Sequence, residues 1–147
     1  MSEPFFFALG LVNNILLITI FLFRKTHKRT TLQRIGIAYL LLAIPAVYTI
    51  FLAVQEQKAV QYSVFLGIFL AFLALEGVYD FVLKIPFRQN WKLLTPYLVL
   101  YYAMNYGFVV MVWQTSLWGG ILMLGLFVTQ IIVNIITHRI RSTEQAH

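Results

Sequence analysis

The sequence predicts an all-α integral membrane protein: one membrane domain over residues 1–147, a bundle of five transmembrane helices with short loops, N-terminus outside and C-terminus cytoplasmic. Three observations predict it. Of 147 residues, 61% are hydrophobic and 11% charged, at a mean hydropathy of +0.81, whereas a water-soluble domain carries about 25% charged and roughly 45–50% apolar residues. Five apolar runs, each close to the ~20 residues that cross a hydrocarbon core, follow one another. Ten of the eleven Lys and Arg then fall on one side of such a bundle.

The expected spans are residues 5–23, 35–54, 64–83, 93–113 and 118–137. The first ends in a basic cluster and not in a small-residue cleavage site, and Met1 to Pro4 hold no basic segment, so it reads as an uncleaved helix. The second contains Pro45 and the fourth Pro96, each of which frees a carbonyl and kinks or softens its helix. The fourth and fifth nearly touch across residues 114–117, a turn short enough only for a tight helical hairpin. Gly119 and Gly120 serve the entry into the last helix. Phe5, Tyr62, Trp91, Trp113 and Trp118 lie at span ends, where aromatic side chains favour the membrane–water interface.

Charge gives the orientation. Arg24, Lys25, Lys28, Arg29 and Arg34 lie in the first loop, Lys84, Arg88 and Lys92 in the third, Arg139 and Arg141 in the tail, and only Lys58 in the second. The positive-inside rule places the ten in the cytoplasm. A multi-pass protein of a prokaryotic inner membrane is the expected setting, with the bilayer itself as first partner.

A charge in hydrocarbon is costly, so intramembrane polar groups carry the functional information. Glu76 falls ~4 Å from the middle of the third span at 1.5 Å per residue, Asp80 one turn on, and Lys84 another turn on at the interface. The three share one face. Two carboxylates so close in low dielectric hold a shared proton, bind a cation, or divide, with Asp80 paired to Lys84 and Glu76 neutral. Phe65, Phe69, Phe72 and Leu73 share the acidic face, and Gly67, Ala71 and Ala74 lie opposite, so the third helix is expected to pack on both sides and to be central.

Asn13 and Asn14 in the first span, Tyr101, Tyr102 and Asn105 in the fourth, and Gln130, Asn134 and Thr137 in the fifth lie at similar depth. Turned inward, Asn14, Asn105, Tyr101, Tyr102, Gln130 and Asn134 would surround Glu76 and Asp80 as a ligand- or proton-binding pocket. Lys84, Arg88 and Trp91 of the third loop would form its cytoplasmic mouth and could receive an anionic headgroup or phosphate. Each amide taken singly is better served by the plainer role of stitching two helices together.

Several chemistries drop out. The chain has no cysteine, which removes thiolate nucleophiles, disulfides and sulfur-ligated metals. His27, His138 and His147 lie outside the spans, so no intramembrane haem or metal site is expected, and no cofactor is implied. The basic loop lacks the breadth of a nucleic-acid surface.

The leading expectation is a protein that binds or transports a small molecule or ion through the Glu76/Asp80 pocket, with proton coupling, as a homo-oligomer or within a larger membrane complex. Two alternatives are an accessory or assembly subunit, in which polar residues are glue and aromatic outer faces meet partners or lipid, and a membrane enzyme using Glu76 and Asp80 as acid and base on a lipid or isoprenoid. Catalysis is the weaker expectation, since two carboxylates on one helix are a weak signal.

Overall fold

Apolar residues recur every three or four positions along the first run, and this stripe is what the fold buries. In the computed structural model, which describes residues 2–25 and 29–145, helix α1 (Ser2–Lys25) packs Phe6, Leu9, Asn13, Leu17 and Ile20 inward. The side chains of Lys25 and of residues 138–145 are outside the description, as are His27, Lys28 and His147. The expectations for Arg139, Arg141 and the three histidines therefore fall outside it.

The second run is two helices, α2 (Arg29–Leu40) and α3 (Ala43–Gln55). Pro45 explains the break, because it has no N–H to give to the Leu41 carbonyl. That carbonyl accepts from Ile44 N–H at 3.1 Å instead, and Leu42 N–H reaches Tyr39 at 3.1 Å, tightening the turn. Next come α4 (Val60–Gly77), a π-helical turn (Val78–Val82), a 3₁₀ turn (Phe87–Gln89), α5 (Trp91–Thr115) and α6 (Leu117–Gln145). Asn90 caps α5 by accepting from Lys92 N–H at 3.1 Å.

Five helical segments are long and apolar enough to span a membrane: Ser2–Arg24, Arg29–Gln55, Val60–Val82, Trp91–Thr115 and Leu117–Thr137. They match the five expected runs, and the described residues contain no strand. Successive spans alternate in direction. The start of α1 meets the second connection, where Lys58 Nζ lies 2.6 Å from Glu3 Oε1, and its end meets the end of α4, where Arg24 reaches Glu76.

Helix α1 packs against α2, α3, α5 and α6, and α4 against α2, α3 and α5. The central place expected for the third span thus goes to the first. Leu66, Phe69, Phe72 and Leu73 of α4 are buried, while Gly67, Ala71 and Ala74 face outward, and a Cβ added at Gly67 would meet nothing within 4 Å. The aromatic face has the larger area to remove from contact with its surroundings, and it took the inner side.

Ser116 alone separates α5 from α6, and its Oγ accepts from Gly119 N–H at 3.2 Å. Gly120 lies directly on the Trp113 backbone. The fourth and fifth runs are therefore a hairpin as tight as expected.

At the start of α1 the Glu56 carboxylate accepts from Ser2 Oγ at 2.6 Å and from Ser2 N–H at 3.1 Å. It thereby serves an N–H that helix geometry leaves unpaired. These bonds, the hydroxyl foremost, hold the Glu56 carboxyl down at about 2, against an ordinary 4.5. A lowered folded value means that the contribution to stability is complete above about 4.5 and fades as pH falls from 4.5 toward 2. Glu56→Gln is expected to flatten that part of the stability profile, read as thermal midpoint against pH.

Candidate functional site

Glu76 sits one residue before the end of α4, and directly after Gly77 the helix widens. Leu83 N–H bonds the Val78 carbonyl at 2.9 Å, five residues back, and Ile85 N–H reaches Tyr79 at 3.2 Å. Such π turns inside α-helices are uncommon and concentrate at functional sites. This one presents Asp80, and the chain leaves it through Lys84 at φ 50°, a left-handed conformation that costs a side-chain-bearing residue about 1–3 kcal/mol.

Beyond Pro86 the connection turns inward. Phe87 is fully buried, with ring centroids 4.7 Å from Tyr79 and 4.9 Å from Tyr97. The guanidinium of Arg88 lies 4.3 Å above the Phe87 ring and 5.9 Å from that of Tyr97. Stacking of this kind fixes the plane of the fork and leaves its edge for other groups. Arg88 Nη1 stands 3.9 Å from Asp80 Oδ1.

A second pair lies deeper. Arg24, at the end of α1 with its guanidinium 5.3 Å from the Phe21 ring, brings Nη2 to 3.5 Å from Glu76 Oε1. The Glu76 side chain is only 5% exposed. The Tyr97 hydroxyl stands beside the Glu76 carboxyl as its neighbouring donor, and Glu76 Oε2, that hydroxyl and Arg88 Nη2 are all buried without a hydrogen bond of ordinary geometry. Each pair is a single loose contact and not the two parallel bonds of a guanidinium–carboxylate fork.

Both pairs face one cavity of about 600 Å³, within the 300–1,000 Å³ typical of ligand sites. Its wall comes from the end of α1, the start of α2, the π turn and the third connection. Four cations line it, Arg24, Arg29, Lys84 and Arg88, against the carboxylates Glu76 and Asp80, an excess of two positive charges when all are ionised. Ile20, Leu32 and Phe81 supply its apolar part.

Of the residues expected at the site, Glu76, Asp80, Lys84 and Arg88 line the cavity together. Of the three arrangements expected for the carboxylates, the divided one pairs Asp80 with Lys84; the structure gives Asp80 Arg88 instead, because the chain reverses at Lys84 and lays Arg88 back over Phe87. The amides and phenols are elsewhere. Tyr101 donates to Gln130 Oε1 at 2.7 Å, Gln130 Nε2 donates to Asn14 Oδ1, and Asn14 Nδ2 donates to the Gly10 carbonyl at 2.7 Å. This chain ties α1, α5 and α6 together, and its members have no reach left for the carboxylates. Asn105 is buried and bonds the Tyr101 carbonyl at 2.9 Å, Asn134 is half-buried, and Tyr102 and Trp91 are exposed, none of them lining the cavity.

Sequence reasoning missed Arg24 as the partner of Glu76 and the contribution of α2. A signal existed: Arg24 follows Leu17 and Ile20 at helical spacing on the buried face of α1. The π turn and the aromatic platform under Arg88 left no such trace. Among the described residues no group of three His, Asp or Glu is placed to hold a metal. Comparison of the chain with family models, with curated proteins and with solved structures finds no match.

Proposed function

We propose that this chain is a five-span protein of a prokaryotic inner membrane, N-terminus outside, which binds a small charged molecule or ion in the cavity at its basic, cytoplasmic end. The observation that carries the reading is the pair of loose contacts, 3.5 Å for Arg24–Glu76 and 3.9 Å for Arg88–Asp80, facing one cavity that Arg29 and Lys84 also line. Such pairs are exchangeable. An incoming anion takes over a guanidinium, and Glu76, once released in its buried setting, accepts a proton in compensation, which couples binding to proton uptake.

Binding has more support than passage. Toward the far end Phe6, Phe69, Phe72 and Phe108 are at most 3% exposed and fill the bundle, so transport requires those rings to part. Acid–base catalysis has less support again, because it needs one protonated and one ionised carboxyl, whereas each carboxylate here has its own guanidinium.

The chain has no cysteine, so Gln33→Cys, on the cavity wall, gives a single thiol. A water-soluble thiol reagent is expected to label it, faster when the reagent is anionic. A thiol with no charge preference contradicts the reading.

A further inference from the structure

We infer that the cavity recognises a phosphate group, and specifically the phosphate of an amphiphile whose apolar part lies along Ile20, Leu32 and Phe81. The inference rests on the cavity being a binding site and names the chemistry of its ligand.

Charge excludes a cation first. Such a ligand would meet Arg24, Arg29, Lys84 and Arg88 together, with only two carboxylates to attract it, and both of those already face arginines. The excess of two positive charges matches a phosphate monoester, which carries between one and two negative charges near neutral pH. A carboxylate would neutralise half of that excess.

Shape points the same way. The cations come from three segments: Arg24 from the end of α1, Arg29 from the start of α2, and Lys84 with Arg88 from the connection after the π turn. A tetrahedral group with three terminal oxygens can accept from donors of three segments at once, whereas a planar carboxylate accepts from one or two. Arg88 is already prepared for such a contact: its guanidinium is seated over the Phe87 ring, and its side chain is 28% exposed and lines the cavity. A cavity of about 600 Å³ holds far more than one phosphate, and apart from Gln33 its remaining wall is apolar. Basic pockets between membrane helices at the cytoplasmic side suit anionic lipid headgroups for these reasons.

The test uses the full chain in phosphatidylcholine nanodiscs, with thermal midpoint followed by tryptophan fluorescence. Four probes are titrated separately: a short-chain phosphatidic acid, inorganic phosphate, a fatty acid of the same chain length, and an alkyl trimethylammonium salt. Phosphatidic acid is expected to raise the midpoint saturably. Arg88→Lys, which keeps the charge and loses the planar fork, is expected to weaken this about tenfold, and Arg29→Gln to weaken it too. Stabilisation by inorganic phosphate alone would keep the phosphate and assign it to a soluble source.

Equal or stronger binding of the fatty acid or the ammonium, with the same dependence on Arg88, would overturn the phosphate and leave the binding site standing. No saturable effect from any probe would overturn both. So would an effect from phosphatidic acid that Arg88→Lys and Arg29→Gln leave unchanged.

Discussion

Replacing Glu76 by alanine is expected to destabilise the folded chain by about 3 kcal/mol, and replacing Arg24 by methionine in the same chain to recover most of that loss. The asymmetry follows from what each change leaves behind. Removing one partner of a buried ion pair costs about 3–5 kcal/mol because the other charge remains without compensation, whereas replacing both by apolar groups is often neutral. With 19% of the Arg24 side chain exposed, the lower end of that range applies. Glu76→Gln keeps the shape and should fall between. The measurement is a double-mutant cycle on Arg24 and Glu76 by reversible unfolding in a fixed detergent. A double variant no more stable than Glu76→Ala would mean that the pair does not hold these helices.

The second large effect is expected at a glycine. A Cβ at Gly120 would stand 2.8 Å from Trp113 Cα and 2.7 Å from Trp113 Cε3. The first of these is backbone, so no rotamer change relieves it. Only one residue joins α5 to α6, and α6 is tied to α1 through Gln130 and Asn14, so the helices cannot part locally. Gly120→Ala is expected to cost about 2–3 kcal/mol, at the upper end of overpacking penalties. Gly67→Ala in α4, where a Cβ meets nothing within 4 Å, is expected to be neutral or to gain up to about 1 kcal/mol of helix propensity. Because the chemical change is identical, the difference between the two thermal midpoints reads packing alone.

The helices and the hairpin were legible because their causes are local. Apolar runs of span length, Pro45 in the second, and two glycines after a three-residue polar break each act within a few residues. The two carboxylates were legible for the same reason, since ionisable groups within an apolar run stand out. What surrounds them was not. A π turn shifts the register after Gly77, the chain reverses at Lys84, and Phe87 is drawn under Arg88 by Tyr79 and Tyr97, which come from different segments. Such placement is decided by tertiary contacts. The amides show the converse: depth along the spans was readable for Asn14 and Gln130, but only the rotation of the helices decides that they meet each other and Tyr101, and not Glu76.

The claim that two carboxylate–arginine pairs govern an accessible, net positive cavity meets its most direct test at the Gln33→Cys thiol. Labelling rates are measured with an anionic and a cationic methanethiosulfonate of similar size, with Gln61→Cys at the other end of the bundle as reference. The anionic reagent is expected to react faster at Gln33→Cys by the order of tenfold, since clustered charge raises the local concentration of its counter-ion. The preference should grow with Asp80→Asn, shrink with Arg88→Gln, and be far smaller at Gln61→Cys. Equal rates, a faster cationic reagent, or a preference indifferent to both substitutions would contradict the account.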